Sequence, residues 1–122
     1  MAMVPPAQVV SIHPYFKVKP GQMAAARKVL DQFVARTKTE PKALYYDFTV
    51  RGDMIFCREA YVGGQGALDH LQNIGAVLQE FLQHVDLMRL EIHGAAVELE
   101  LLKGAVGALN PEWYVFECGM AR

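Results

Sequence analysis

His70 is the side chain in this sequence best suited to chemistry, because an imidazole takes up or releases a proton near neutral pH. It lies in a stretch whose apolar residues recur every three or four positions, which is the period of an amphipathic helix. That period places Ile74, Val77 and Phe81 on the same helix face as His70. The pattern therefore predicts a histidine that points at apolar surface, which is a candidate general base. A histidine that only makes one hydrogen bond within the fold is the competing interpretation.

Asn73 follows His70 by about one helical turn and could orient either the imidazole or a substrate carbonyl, although a polar surface residue is the simpler interpretation. The remaining histidines, His13, His84 and His93, lack the spacing that would build a metal site with His70. No metal is therefore expected.

The segment before this helix alternates bulky and polar residues, as a half-buried strand does. Arg58 and Glu59 must point to opposite faces of such a strand, so only one of them can enter a pocket, and a surface ion pair is the default for either. Gly63, Gly64 and Gly66 mark the change from strand to helix.

The elements that position His70 follow from the same patterns along the chain. A strand from Gln8 to Val18, bulged or at a sheet edge near Pro14, precedes a helix from Gln22 to Thr37. A hairpin, the helix with His70 and a fourth strand come next, in which Met88 alternates with polar residues. A short helix and a final strand end the order. This is the split β-α-β order of a ferredoxin-like α+β fold, with an antiparallel sheet and an extra C-terminal helix and strand.

Two of the predicted strands are apolar on both faces, although two helices can cover only one face of a sheet. Leu44, Tyr45 and Tyr46 are consecutive in the second strand, and Trp113 and Tyr114 are adjacent in the last. An uncovered aromatic face favours self-association, so we expect a homodimer.

Composition predicts one domain, residues 8–118, after an N-terminal lead of residues 1–7. The net charge is -1 and no run of Lys or Arg occurs, so neither nucleic acid nor a membrane surface is expected as a partner. No signal peptide and no apolar stretch of about 18 residues are present, which indicates a cytoplasmic protein. Cys57 and Cys118 lie in separate apolar segments, and we expect both thiols to be reduced and buried.

Specific residues then point to a family. Glu59 and Tyr61 end a strand and His70 follows after eight residues, and a Thr39-Glu40-Pro41 segment precedes the second strand. In these features the chain resembles the antibiotic biosynthesis monooxygenase-like proteins of the dimeric α/β-barrel superfamily.

This resemblance implies a homodimeric barrel and a function that varies between members. Cofactor-independent oxygenation of quinol-like aromatic molecules by dioxygen is the function expected here. The implied proton acceptor is His70, Asn73 is a candidate substrate contact, and Tyr46, Phe56, Tyr61 and Phe81 are the candidate pocket walls. A non-catalytic small-molecule-binding dimer is the alternative, followed by haem degradation or isomerisation.

Overall fold

The computed structural model describes residues 4–122, so Met1, Ala2 and Met3 of the expected lead lie outside the described residues. Its helices and strands are β1 (Val9–Val18), α1 (Met23–Thr37), β2 (Ala43–Arg51), β3 (Met54–Val62), α2 (Gly63–Phe81), β4 (Val85–Gly94), α3 (Ala96–Glu100), α4 (Lys103–Val106) and β5 (Glu112–Val115). Short 3-10 turns occupy Pro6–Gln8 and Gly107–Leu109. Within residues 4–122, no helix is both long enough and apolar enough to cross a membrane.

The five strands form one sheet in the order β2-β3-β1-β4-β5, which confirms the α+β ferredoxin-like fold class. Strands β1 to β4 pair antiparallel, whereas β5 runs parallel to β4. The expectation of an antiparallel sheet is therefore wrong for the added strand. The segment from α3 to the second 3-10 turn separates β4 from β5, and a connection of this kind lets β5 return in the same direction.

Pro14 lies in β1, which is the central strand, so the expectation of a sheet edge is wrong. The other expectation, a bulge, is met nearby. The pairing of β1 with β4 shifts by one residue between Tyr15 and Phe16. This shift leaves Met88 of β4 59% exposed, against the inward position that its alternation predicted. Leu87 lines the interior in its place.

Helices α1 and α2 cover one face of the sheet, and their apolar stripes make the core. Phe33 of α1 and Phe81 of α2 pack edge to face, with ring centroids 5.3 Å apart. Phe81 packs in the same manner on Phe16 of β1, at 5.0 Å. These ring contacts fix the position of α2 relative to α1 and the central strand β1.

The other face of the sheet carries aromatic side chains that helices do not cover. Tyr15 and Phe56 lie 4.7 Å apart between ring centroids, and His93 stacks on Tyr114 at 4.5 Å. Tyr45 on the same sheet is 53% exposed. Cys118 follows β5 and is exposed, so the expected burial is confirmed for Cys57 and wrong for Cys118.

The C-terminal segment stabilises the start of α2. No side chain of α2 itself caps its N-terminus, and the backbone N–H of Gly64 donates a hydrogen bond to Oε1 of Glu98 in α3 at 2.8 Å. A carboxylate at this end of a helix also interacts favourably with the helix dipole. Gly64 permits this approach, because a Cβ atom there would collide with the backbone oxygen of Glu98.

A matched pair of glycine substitutions in α2 tests this packing. Gly64→Ala should destabilise the fold by about 1 to 3 kcal/mol, because the added methyl group must displace the C-terminal segment. Gly75→Ala should stabilise it by about 0.5 to 1 kcal/mol, since α2 continues unbroken through Gly75 and a Cβ atom there meets no other atom within 4 Å. Urea unfolding measures the stability of both variants. If both were stabilised, or both destabilised, the result would contradict the structure.

Candidate functional site

A cavity of about 300 Å³ lies between the helices and the sheet. Strands β1 to β4 form its floor, α1 and α2 form its walls, and Val106 and Leu109 of the C-terminal segment cover one side. The lining is apolar except for five side chains, and in the described residues it contains no Lys or Arg. The five polar lining residues are Tyr46, Cys57, Glu59, His70 and Gln79.

His70 projects from the second turn of α2 into this cavity. Its relative exposure is 2%, and its ring lies between two tyrosines, 5.0 Å from the Tyr46 centroid and 4.8 Å from the Tyr61 centroid. The helical period that predicted an imidazole on the apolar face of α2 thus places it correctly. Its role as a base stays a prediction.

Each ring nitrogen of His70 faces a buried carboxyl group. Nδ1 lies 3.0 Å from both carboxylate oxygens of Glu40, which belongs to the loop between α1 and β2. Nε2 lies 3.6 Å from Oε1 of Glu59 on β3. The two carboxyl side chains are 7% and 6% exposed, so the three groups interact where water screens little.

Glu59 is held from behind by Tyr61, two residues further along the same face of β3. The phenol of Tyr61 donates a hydrogen bond of 2.7 Å to Oε1 of Glu59. Arg58 points to the opposite face and donates to Asp47 there, at 2.8 Å. The strand therefore sends its carboxyl group into the cavity and its guanidinium to the surface.

Burial shifts the protonation of the lining groups toward their neutral forms. It raises the pKa of Glu59 from 4.5 to about 7, despite the hydrogen bond from Tyr61. It lowers the pKa of His70 below 6.5, against the opposing effect of Glu40. It also raises the pKa values of Tyr46 and Cys57, so the phenol and the thiol are neutral near pH 7.

This combination places a neutral imidazole beside a carboxyl group that holds its proton up to about pH 7. The first can accept a proton and the second can donate one, within a cavity lined mainly by apolar side chains. Buried titratable groups with shifted pKa values that face one cleft are candidates for a functional site. The described residues 4–122 contain no group of three His, Cys, Asp or Glu side chains placed to hold a metal ion.

Two of the six residues selected from the sequence line the cavity, namely His70 and Tyr46. Tyr61 is fully buried behind Glu59, and Phe81 lies in the core against Phe16, so neither is a cavity wall. Phe56 faces the other side of the sheet and packs on Tyr15, which makes its selection wrong. Its neighbour Cys57 lines the cavity instead.

Asn73 does not line the cavity either. Its side-chain amide donates to Oε2 of Glu40 and to the backbone oxygen of Arg36, both at 2.8 Å. This position fits the first of its two expected roles, which is to orient the imidazole. Its amide contacts the carboxylate that contacts the imidazole.

Two acidic residues of the site were not selected from the sequence. A surface ion pair is the default expectation for Glu59, although this residue shares strand parity with Tyr61, which is expected in the pocket. Glu40 precedes a proline in a loop, and no periodic pattern connects it with a histidine 30 residues later.

Comparisons with solved structures show what this architecture is similar to. MupZ from Pseudomonas fluorescens has 31% sequence identity and a TM-score of 0.89, over 94% of this chain and 95% of that chain. A Caulobacter crescentus protein provisionally named an antibiotic biosynthesis monooxygenase shows 19% identity and a TM-score of 0.64, over 72% of this chain and 90% of its own. A further antibiotic biosynthesis monooxygenase shows 15% identity and a TM-score of 0.60, over 68% and 92%. No family model and no curated protein matches the sequence.

The shifted pKa of Glu59 predicts how stability depends on pH. Between pH 4.5 and about 7 the native carboxyl group keeps a proton that the unfolded chain has released, so the free energy of unfolding falls as pH rises across this window. His70 acts with the opposite sign, because its lowered pKa removes stability as pH falls below 6.5. Comparison with Glu59→Gln isolates the first effect.

Relative to Glu59→Gln, the wild-type protein should lose up to about 3 kcal/mol between pH 4.5 and pH 8. Urea unfolding at several pH values measures this difference. Glu100→Gln is the matched control, because Glu100 is exposed and bonds only to Lys103 at 2.7 Å. A wild-type curve parallel to that of Glu59→Gln would show that Glu59 titrates normally.

Proposed function

The chain belongs to the same protein family as MupZ and shares the antibiotic biosynthesis monooxygenase fold, and from this premise we propose that it is a cofactor-independent monooxygenase. Its substrate is an apolar, quinol-like or anthrone-like aromatic molecule, and His70 is the base. The observation that carries this proposal is the Nε2 atom of a buried, neutral imidazole at the wall of an apolar cavity.

The lining selects for such a substrate. An aromatic ring gains free energy by leaving water for apolar walls, and the absence of Lys and Arg among the described lining residues leaves a ligand carboxylate or phosphate without a partner. The Tyr46 phenol, neutral because burial raises its pKa, can donate a hydrogen bond to a ligand oxygen.

The reaction begins with transfer of a C–H or O–H proton from the substrate to Nε2 of His70. The resulting electron-rich anion gives an electron to dioxygen, and the two radicals combine into a peroxide anion. The imidazolium returns its proton to form the hydroperoxide. The negative charge of Glu40 stabilises the imidazolium while it exists, at 3.0 Å.

For a methylene substrate, the second half forms a ketone and water. His70 removes the remaining C–H proton, the O–O bond breaks, and the leaving hydroxide takes the proton of Glu59. A proton then passes from His70 to Glu59 over 3.6 Å and restores the starting state. Dioxygen supplies both product oxygen atoms, so no external reductant is needed.

Isomerisation is the second candidate, and the Glu59–His70 pair favours it. A base and an acid 3.6 Å apart can remove a proton from one substrate atom and deliver one to another without dioxygen. The two candidates differ in one measurable quantity, since only the first consumes dioxygen.

The decisive experiment measures dioxygen uptake with a panel of quinols and anthrones, with and without the protein. We expect uptake that follows a bell-shaped pH profile, because His70 must be neutral and Glu59 protonated. The alkaline limb should lie near the Glu59 pKa of about 7. Uptake equal to that of buffer across the panel would overturn the oxygenase, and solvent deuterium in recovered substrate would then identify the isomerase. Ligand binding without either signal would leave a non-catalytic binder.

His70→Ala should reduce a confirmed turnover by roughly 100- to 10,000-fold, because it removes the base. It also takes a partner from buried Glu40, so a stability loss of about 1 to 3 kcal/mol accompanies it. His84→Ala is the control, since His84 lies outside the cavity and bonds Gln22 at 2.9 Å. If His70→Ala retained wild-type turnover, His70 would not be the base.

We also propose that the protein is a homodimer through the aromatic face of the sheet. Tyr45 of β2 and Tyr114 of β5 are about half exposed there, and Tyr15 and Phe56 contact each other on two of the strands between them. Light scattering at micromolar concentration should give twice the chain mass of 13.6 kDa. Tyr15→Asp should shift the mass toward one chain, and a single-chain mass for the wild-type protein would contradict the dimer.

A further inference from the structure

Glu40 and Asn73 form a buried polar pair directly behind the imidazole of His70. Both oxygens of Glu40 lie 3.0 Å from Nδ1, and Oε2 also accepts a hydrogen bond of 2.8 Å from the Asn73 amide. The same amide donates to the backbone oxygen of Arg36 at the end of α1. The carboxylate is thus fixed between the end of α1 and the middle of α2.

From this geometry we propose that Glu40 and Asn73 are positioning residues, which hold His70 in the tautomer with its proton on Nδ1 and its lone pair on Nε2 facing the cavity. This inference rests on the proposed role of His70 as a base. Neither residue is among those that line the cavity, so we expect any effect of either on catalysis to act through the imidazole.

The tautomer follows from which groups can donate. Glu40 offers only acceptor oxygens to Nδ1 when it is ionised, and a lone pair on Nδ1 would face two acceptors at 3.0 Å. A proton on Nδ1 turns the same contact into a charge-assisted hydrogen bond. The Nε2 lone pair then points toward the cavity and the carboxyl group of Glu59, at 3.6 Å.

Asn73 acts on His70 indirectly, because its amide fixes the side-chain conformation of Glu40. Without the Asn73 amide, the imidazole would be the one remaining hydrogen-bond donor to the Glu40 side chain. The loop from Lys38 to Lys42 would also lose a contact with α2. Thr39, whose hydroxyl lies 3.4 Å from the same amide, donates to the Arg36 oxygen at 2.7 Å and ties the loop to α1.

A purely structural polar cluster is the competing explanation, and it predicts lost stability without any change in the imidazole. The test therefore uses protein labelled with nitrogen-15 in histidine, in which the ring shifts report the tautomer and the pKa of His70 directly. The variants are Glu40→Gln, which preserves shape, and Asn73→Ala. Asp69→Asn is the control, because Asp69 lies next to His70 in α2 and contacts Lys42 of the same loop at 3.6 Å.

We expect wild-type His70 to carry its neutral-state proton on Nδ1. Glu40→Gln should lower its pKa further, because the charge that raises it is removed, and should mix the two tautomers. Asn73→Ala should give a smaller change with the same sign, and Asp69→Asn should leave the spectrum as in the wild type. With a confirmed substrate, Glu40→Gln should lower kcat on the order of 100-fold and move the acid limb to lower pH, while KM changes little.

A wild-type proton on Nε2 would overturn the proposal. So would Glu40→Gln and Asn73→Ala variants that melt earlier but keep the wild-type tautomer and pKa. The spectra require no turnover, so a protein without oxygenase activity would contradict the proposed function and still decide whether these two residues position His70.

Discussion

The burial of an imidazole between two carboxyl groups is the interaction on which the rest of this structure depends. Ionised groups are costly to remove from water unless each has a partner, and a buried pair that loses one partner is strongly destabilised. In this protein the carboxyl groups on both sides of His70 have hydrogen-bond partners. Glu40 accepts hydrogen bonds from His70 and Asn73, and Glu59 accepts one from the phenol of Tyr61. In the described residues no buried side-chain nitrogen or oxygen lacks a hydrogen-bond partner.

The fold supplies these groups from three separate elements. The loop after α1 provides Glu40, β3 provides Glu59 and Tyr61, and α2 provides His70. The extra C-terminal segment contributes indirectly, since Glu98 bonds the first turn of α2 while Val106 and Leu109 close one side of the cavity. This segment therefore contacts both the helix that carries the imidazole and the apolar cavity in which burial lowers the pKa of that imidazole.

Sequence patterns predicted what depends on a local period. The face of α2 that carries His70 follows from helical spacing, and the hairpin follows from two strand-like runs around Gly52. Strand parity also predicts which side chains of β3 face the cavity. Phe56 and Tyr61 are five residues apart and must face opposite sides of a regular strand, so Tyr61 in the helix-facing layer already implies that Glu59 points inward and Phe56 outward.

Other features depend on contacts between distant segments, which no local period encodes. The Glu40–His70 contact joins a loop to a helix, and the parallel direction of β5 depends on how the C-terminal segment crosses the sheet. Cys118 is exposed and lies beyond the end of β5 at Val115, and no local period marks where that strand ends.

The proposed chemistry requires that the cavity hold a protonated carboxyl group beside a neutral imidazole near pH 7. The most direct test is a carbon-13 titration of the side-chain carboxyl groups in glutamate-labelled protein, with Glu59→Gln used to assign the resonance. We expect one carboxyl group to titrate at about pH 7 and its resonance to be absent from the variant. Titration of the Glu59 resonance at its ordinary value of 4.5 or below would contradict it.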